Sequence, residues 1–253
     1  MFGLCNLSNI PLRFEPNDRS EILSQVLFGD HFLVLEKQKQ WIKIQLQFDD
    51  YIGWVDEKQF QYISEIEFEQ LSCETIVLNA DLVEYITTDD NFLMPITLGS
   101  SLSFLSHNKI NTKGFVFEGL RTSGIKPKSD LIKTAFLYLN APYLWGGKTP
   151  FGIDCSGFTQ MVYKLNGYKL LRDASQQAGQ GEALSFIEES EPGDLAFFDN
   201  EAGNIIHVGI IMNDNYIIHA SGKVRIDRLD HLGIYNAELN RHTHKLRVIK
   251  KII

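Results

Sequence analysis

Residues 141–167 read Ala-Pro-Tyr-Leu-Trp-Gly-Gly-Lys-Thr-Pro-Phe-Gly-Ile-Asp-Cys-Ser-Gly-Phe-Thr-Gln-Met-Val-Tyr-Lys-Leu-Asn-Gly, and the rest of the chain is organised around them. Gly146, Gly147, Pro150 and Gly152 exclude a regular element ahead of Asp154. Beyond Cys155, the residues Phe158, Met161, Val162 and Leu165 fall on the i, i+3, i+4, i+7 stripe of an amphipathic helix. Asn166-Gly167 then supplies a C-terminal stop. Cys155 is therefore expected in the first turn of a helix that buries one face. The positive end of the helix dipole and its unpaired N–H groups favour a thiolate there. That makes Cys155 a candidate nucleophile, provided a base exists to go with it.

Composition narrows the field. A chain of 253 residues has room for one to three domains and a real core. A net charge of −8 argues against a nucleic-acid or polyanion partner. No run of about 18 apolar residues exists, so no membrane-spanning helix and no membrane partner is expected. The opening Met-Phe-Gly-Leu-Cys-Asn-Leu-Ser lacks the basic start and apolar core of a signal peptide, which gives a cytoplasmic expectation. Cys5, Cys73 and Cys155 are odd in number and widely spaced, so no disulfide framework is expected. Cys5 and Cys73 read as small apolar fillers.

Residues 1–62 read as short strands (10–14, 22–28, 32–35, 41–46 and 52–55) broken at Pro16-Asn17-Asp18, Gly29-Asp30 and Asp49-Asp50, the pattern of a small β-barrel. Residues 64–74 are a polar connector or short helix. A second, less regular set of β-like runs follows at 76–78, 82–86, 93–98, 102–105 and 115–117, with turns at Gly99 and 108–111. Residues 121–128 read as a linker. From there the character changes. Ser129 is the expected N-cap of a helix with Leu131, Ala135 and Leu139 on one face, ended by Asn140 and Pro142. Residues 171–177 read as a loop passing into a short helix. Glu191-Pro192-Gly193-Asp194 is a turn that launches a strand over 195–198. Two more strands, 205–212 and 216–220, flank Asn213-Asp214-Asn215. Helices first and an antiparallel sheet afterwards define an α+β domain.

The last two strands carry His207 and His219. If 213–215 is a three-residue hairpin loop, residues whose numbers sum to 428 pair, so Gly209 faces His219 and His207 is its diagonal neighbour. The period of two puts all three on one face, with Gly209 leaving room between the imidazoles. One histidine can then orient the other, as a nucleophile–base–orienter set requires. Other readings stay open on the residues alone. Cys155 can be packing and either histidine a structural residue. The three can also bind zinc, although no supporting ligand spacing is present. Ser156 is a weaker nucleophile candidate, one helical step around from Cys155. His31, His107, His231, His242 and His244 read as surface or tail residues.

Several stretches together resemble the NlpC/P60 family of cell-wall cysteine peptidases: Pro142-Tyr143-x-Trp145-Gly146-Gly147, Asp154-Cys155-Ser156-Gly157-Phe158, Arg172-Asp173, Gln177, Pro192-Gly193-Asp194-Leu195, His207-Val208-Gly209-Ile210 and His219-Ala220. The resemblance implies a papain-like α+β catalytic domain over 122–253. Gly29-Asp30, Trp41 and Tyr51-Ile52-Gly53-Trp54-Val55 resemble a bacterial SH3-like barrel, giving one such domain over 1–62 and a degenerate second over 63–121. By the same resemblance Cys155 is nucleophile, His207 general base and His219 its orienting partner. Tyr143 lies near the oxyanion, and Trp145, Asp154 and Ser156 join it among the substrate-binding residues.

Two such barrels ahead of the catalytic domain resemble the γ-D-glutamyl-L-diamino acid endopeptidases of murein recycling. That implies a murein-derived peptide with a free N-terminal L-Ala as substrate, Asp173 as the partner of its ammonium, and Glu21 and Tyr51 as contributors from the first barrel. Solvated turn residues are the alternative reading of Glu21 and Tyr51. Ala174 stands where related enzymes often have Ser. The implied protein is a monomer that needs no metal or organic cofactor. Transfer instead of hydrolysis, an inert wall-peptide-binding module and a secreted autolysin remain alternatives.

Overall fold

Strand formation in the first part of the chain follows side-chain alternation. The computed structural model describes residues 1–103 and 114–253 and divides into two units, Met1–Ile125 and Lys126–Ile253. In the first, β1 (Phe2–Leu4), β2 (Asn9–Arg13), β3 (Ile22–Leu27), β4 (His31–Gln38), β5 (Trp41–Leu46), β6 (Ile52–Asp56) and β7 (Gln61–Ile63) form one antiparallel sheet in the order β3-β2-β6-β5-β4-β1-β7. Ile10 and Leu12 of β2 point inward and their neighbours outward, and they meet Val26, Phe32, Ile44 and Val55 in one apolar core. Cys5 is in that core, as a small filler should be.

The polar connector is a helix, α1 (Glu65–Cys73), started by a capping box in which Ser64 and Glu67 exchange hydrogen bonds. Cys73 is its last residue and exposed. The second strand set comprises β8 (Val77–Asn79), β9 (Val83–Thr88), β10 (Leu93–Thr97), β11 (Phe115–Phe117) and β12 (Arg121–Ser123). Among the described residues these make two small sheets, β10-β9-β11 and β12-β8. Their core residues Ile86, Ile96 and Phe117 pack with Leu4, Phe28 and Phe68, so this part shares an apolar cluster with the first barrel. The expected linker is corrected here: residues 121–123 pair with β8 and belong to the first unit. The turn expected at 108–111, His107 and the end of the 102–105 run lie outside the described residues.

In the second unit, α2 (Asp130–Phe136) is shorter than its apolar spacing predicts. Ser129 makes no side-chain cap, because its own backbone is already helical (φ −60°, ψ −21°) and the Lys128 carbonyl already accepts the Leu131 N–H, and Leu139 is exposed beyond the helix. The short pair β13 (Lys148–Thr149) and β14 (Gly152–Ile153) leads to α3 (Cys155–Leu165). The predicted stripe is buried, but so is every other residue of α3, which packs against α2, β13 and the sheet as well. A short α4 (Ala174–Gln177) follows.

The sheet is β15 (Glu182–Leu184), β16 (Leu195–Asp199), β17 (Ile205–Ile211), β18 (Tyr216–Ser221), β19 (Lys223–Asp230), β20 (Gly233–Asn236) and β21 (Arg241–Lys251), in the order β15-β21-β16-β17-β18-β19-β20. Pairing of β21 with β20 closes six of these strands into a barrel. Its core holds Ala196, Phe198, Ile211, Ile217, Leu229 and Ile234. The hairpin arithmetic holds: Gly209 pairs with His219, Ile210 with Ile218 and Ile211 with Ile217. His207 and Gly209 therefore share the face of Ile211, and His219 shares that of Ile217.

Glycine is required at 209 for a steric reason. A Cβ there would sit 2.8 Å from the His219 Cβ and 2.8 Å from Ile217 Cδ1. Gly209→Ala should leave the fold intact but cost about 1–3 kcal/mol through overpacking, measurable by urea denaturation. The same substitution should lower activity by displacing His219.

Candidate active site

The loop before α3 is held by one carboxylate. Asp154 caps α3 by accepting the Gly157 N–H at 2.6 Å, and its other oxygen accepts the Gly146 N–H at 2.8 Å. Arg172 closes on the same carboxylate with two hydrogen bonds, of 3.0 and 2.6 Å, and also donates to Ser156 Oγ at 2.9 Å. All three side chains are buried. Gly157 must be glycine, because a Cβ would lie 2.4 Å from the Gly147 carbonyl oxygen. Gln177 extends the brace from α4, donating to the Ser156 carbonyl at 3.0 Å while accepting from Thr159 at 2.7 Å. The side chains of Asp154 and Ser156, expected to face substrate, instead face Arg172 and hold the turn that carries Cys155.

Cys155 is buried at the start of α3, the helix that packs against β17 and β18. Burial, with help from the Asp154 charge, pushes the thiol from 9.0 up to about 12. A displacement of that size corresponds to roughly 4 kcal/mol. The opposing helix N-terminus offers about 0.3–1 kcal/mol, up to ~2 kcal/mol in buried settings. Burial wins, so the expectation of a resting thiolate is overturned and Cys155 rests as a thiol.

The three strands beside it carry a polar chain through an otherwise apolar face. His207 Nε2 lies 2.8 Å from His219 Nδ1, and His219 Nε2 lies 3.0 Å from Asp227 Oδ2. Arg225 grips Asp227 with its Nε at 2.7 Å and an Nη at 3.0 Å. Burial lowers both histidines, His207 far below the usual range, helped by the neighbouring His219 and His244. Burial alone would raise the Asp227 carboxyl, but hydrogen bonds from His219 and Arg225 hold it below its ordinary value. Neutral imidazoles thus sit next to an ionised carboxylate.

Sequence reasoning missed Asp227 and misjudged His244. His244 is half-buried, and its ring stacks on His207 with centroids 4.1 Å apart and planes 23° from parallel. Its Nδ1 lies 2.9 Å from Thr243 Oγ1. Burial, with His219 adding to it, lowers His244 to about 4. A pocket of about 300 Å³ opens here, lined by Tyr143, Ile206, His207, Ser221, Gly222 and His244. Tyr143 is fixed by its N–H, which donates to the Gly222 carbonyl at 3.0 Å. Burial first, then the nearby Cys155 and Asp154, pushes its phenol up to about 12, so it stays a hydrogen-bond donor at neutral pH.

Trp145 is exposed on the loop next to Tyr143. Asp173 is half-buried at the N-terminus of α4, where its N–H donates to Gln176 Oε1 at 3.0 Å. Glu21 and Tyr51 belong to the first unit: Glu21 is exposed just before β3, and Tyr51 packs at the edge of that unit's core just before β6. Among the described residues no group of three or more His, Cys, Asp or Glu side chains is arranged to hold a metal. No described helix is long and apolar enough to cross a membrane.

Comparison with known proteins names the class. Residues 140–243 match the NlpC/P60 family, and residues 12–60 match the bacterial dipeptidyl-peptidase Sh3 domain. Residues 140–243 thus form an NlpC/P60 domain, preceded by an SH3 domain of that type. It is 27% identical over 226 residues to a gamma-D-glutamyl-L-lysine dipeptidyl-peptidase of Bacillus cereus, covering 79% of this chain and 68% of that one. It is 29% identical over 225 residues to the Bacillus subtilis protein of the same name, covering 79% and 72%. The crystal structure of an NlpC/P60 family protein from Bacillus cereus shares the fold with a TM-score of 0.82 at 20% identity, over 100% of this chain and 99% of that one.

Two outcomes follow from the site's electrostatics. Arg172→Met leaves Asp154 buried without its cation and should cost about 3–5 kcal/mol in urea denaturation, the usual loss when a buried pair loses one partner. The lowered histidines bind protons more readily when unfolded, so stability is full above about pH 6.5 and is lost as pH falls towards about 4. Thermal unfolding across that range should show this slope, and His244→Phe should flatten part of it.

Proposed function

We propose that the protein is a cysteine endopeptidase that hydrolyses the γ-D-glutamyl-L-diamino acid bond of murein-derived peptides bearing a free N-terminal L-Ala. The observation that carries the reading is the 2.8 Å His207–His219 contact on two barrel strands, against which the helix that begins at Cys155 packs. The relatives' gamma-D-glutamyl-L-lysine specificity supports the bond named.

The geometry suits general-base activation of a resting thiol. As Cys155 Sγ attacks the γ-carbonyl carbon, His207 takes the thiol proton, and His219 steadies the imidazolium that forms. The Tyr143 phenol, protonated at neutral pH, donates to the developing oxyanion. The C–N bond then breaks, and His207 passes its proton to the leaving amine of the diamino acid. The thioester left on Cys155 is attacked by water, with His207 again taking a proton, which releases the γ-carboxylate and restores the thiol. No metal or organic cofactor enters any step.

Asp173 supplies the substrate selection. A carboxylate facing the substrate ammonium forms a charge-assisted contact about twice as strong as a neutral hydrogen bond. An N-acylated peptide would leave that carboxylate unpaired and would be rejected.

L-Ala-γ-D-Glu-meso-diaminopimelate, its lysine analogue and their N-acetylated forms, followed by mass spectrometry beside Cys155→Ala, test the proposal. Cleavage of the free-amine peptides alone, abolished in the variant, is expected. Equal cleavage of free and acetylated peptides would remove the role given to Asp173. Cleavage by Cys155→Ala, or of no peptide at all, would overturn the reading.

A further inference from the structure

The proton positions on the two histidines follow from the acid at the far end of the chain. An ionised carboxylate only accepts hydrogen bonds, so the His219 Nε2 that lies 3.0 Å from Asp227 must carry a proton. Burial keeps His219 neutral, so its Nδ1 is then a bare acceptor. His207 Nε2, 2.8 Å from that acceptor, must in turn be the donor. The remaining ring nitrogen, His207 Nδ1, is left unprotonated. It is the nitrogen nearer the main chain of β17, the strand that packs against α3, which begins at Cys155.

We infer that Asp227, braced by Arg225, is a positioning residue that fixes both histidines as Nε2–H tautomers and so leaves His207 Nδ1 as the proton acceptor for Cys155. The inference rests on the reading of Cys155 as nucleophile, but not on which peptide is cut.

Arg225 explains why the acid needs a brace. Its Nε and the His219 Nε2 share one oxygen, Asp227 Oδ2, at 2.7 and 3.0 Å. A second Arg225 nitrogen holds Oδ1 at 3.0 Å, which fixes the carboxylate plane. The other charged or titratable groups around the relay are His244 on β21, stacked on His207, Asp154, Arg172 and Tyr143 beside Cys155, and Glu238, which pairs with Arg225. None of them faces His219 Nε2 in place of Asp227.

Nitrogen NMR of the ring-labelled histidines, with Cys155 alkylation by iodoacetamide followed by peptide-resolved mass spectrometry, tests the inference without any peptide substrate. In the unaltered protein at neutral pH both His207 and His219 should be protonated on Nε2. Asp227→Asn can still place an acceptor oxygen at the shared position, so both tautomers should persist and alkylation should fall only a few-fold. Asp227→Ala should give mixed tautomers on His219 and slow Cys155 alkylation by roughly 10- to 100-fold, the worth of one charge-assisted hydrogen bond. His207 protonated on Nδ1 in the unaltered protein would overturn the inference. So would tautomers and an alkylation rate unchanged in Asp227→Ala. Should that variant fail to fold, the spectra of the unaltered protein and of Asp227→Asn decide. If these readouts hold while no γ-D-glutamyl peptide is cut, the substrate assignment fails and the positioning role stands.

Discussion

The buried ion pair of Arg172 and Asp154 is the constraint on which the site depends. One carboxylate takes hydrogen bonds from the Gly146 loop, from the first turn of α3 and from Arg172 just ahead of α4. Two charges out of water are costly unless every lone pair is used. Here the carboxylate oxygens serve backbone donors and guanidinium together. The loop therefore has little freedom to move without exposing a charge to an apolar interior. Cys155 follows Asp154 directly, so the position of its sulfur is inherited from that pair. What reads as a recognition motif in the sequence, Asp-Cys-Ser-Gly with a distant Arg-Asp, is first of all a device for fixing a turn.

The histidines obey a different logic. They stand on neighbouring strands of a closed barrel, with the Gly209–His219 pair setting their offset. Strands in a closed sheet cannot slip by one residue without turning every core side chain outward. The spacing of the imidazoles is thus guaranteed by Ile211, Ile217 and Leu229, residues that take no part in the chemistry. The same burial that gives this precision strips charge from the site. It raises the thiol, lowers the imidazoles and leaves the buried acid beside His219 as the ionised group nearest the two rings.

The parts that were legible in the sequence are those whose causes are local. The α3 helix showed in its apolar spacing and in the glycines that precede it. The β17–β18 register followed from a three-residue turn and the period of two. The capped α1 was legible as a polar connector or short helix, and its stabilising exchange between the Ser64 and Glu67 side chains decides for the helix. The segment after Ala220 was not legible. Its strands alternate buried residues with Lys, Arg and Asp, and they become strands through pairing with β16 and β18 and with each other across a closed barrel. Asp227 and His244 lie on those strands, so neither stood out from the charged residues around it. His244 sits in Arg241-His242-Thr243-His244-Lys245, which reads as a tail until β21 is laid beside β16.

The resting charge state of Cys155 was misjudged for a related reason, and the error is instructive about the chemistry. A helix N-terminus is a local feature that sequence reveals, whereas desolvation depends on what the whole unit packs over the sulfur. Here every residue of α3 is buried, and the larger effect is the non-local one. A thiol and a neutral imidazole in a dry site form no ion pair to be stabilised in advance. The stabilisation instead appears when proton transfer creates an imidazolium next to His219 and, one ring further, Asp227. Interactions made only as charge develops lower the barrier without deepening the ground state. An acid two rings removed from the sulfur is the arrangement that serves this end.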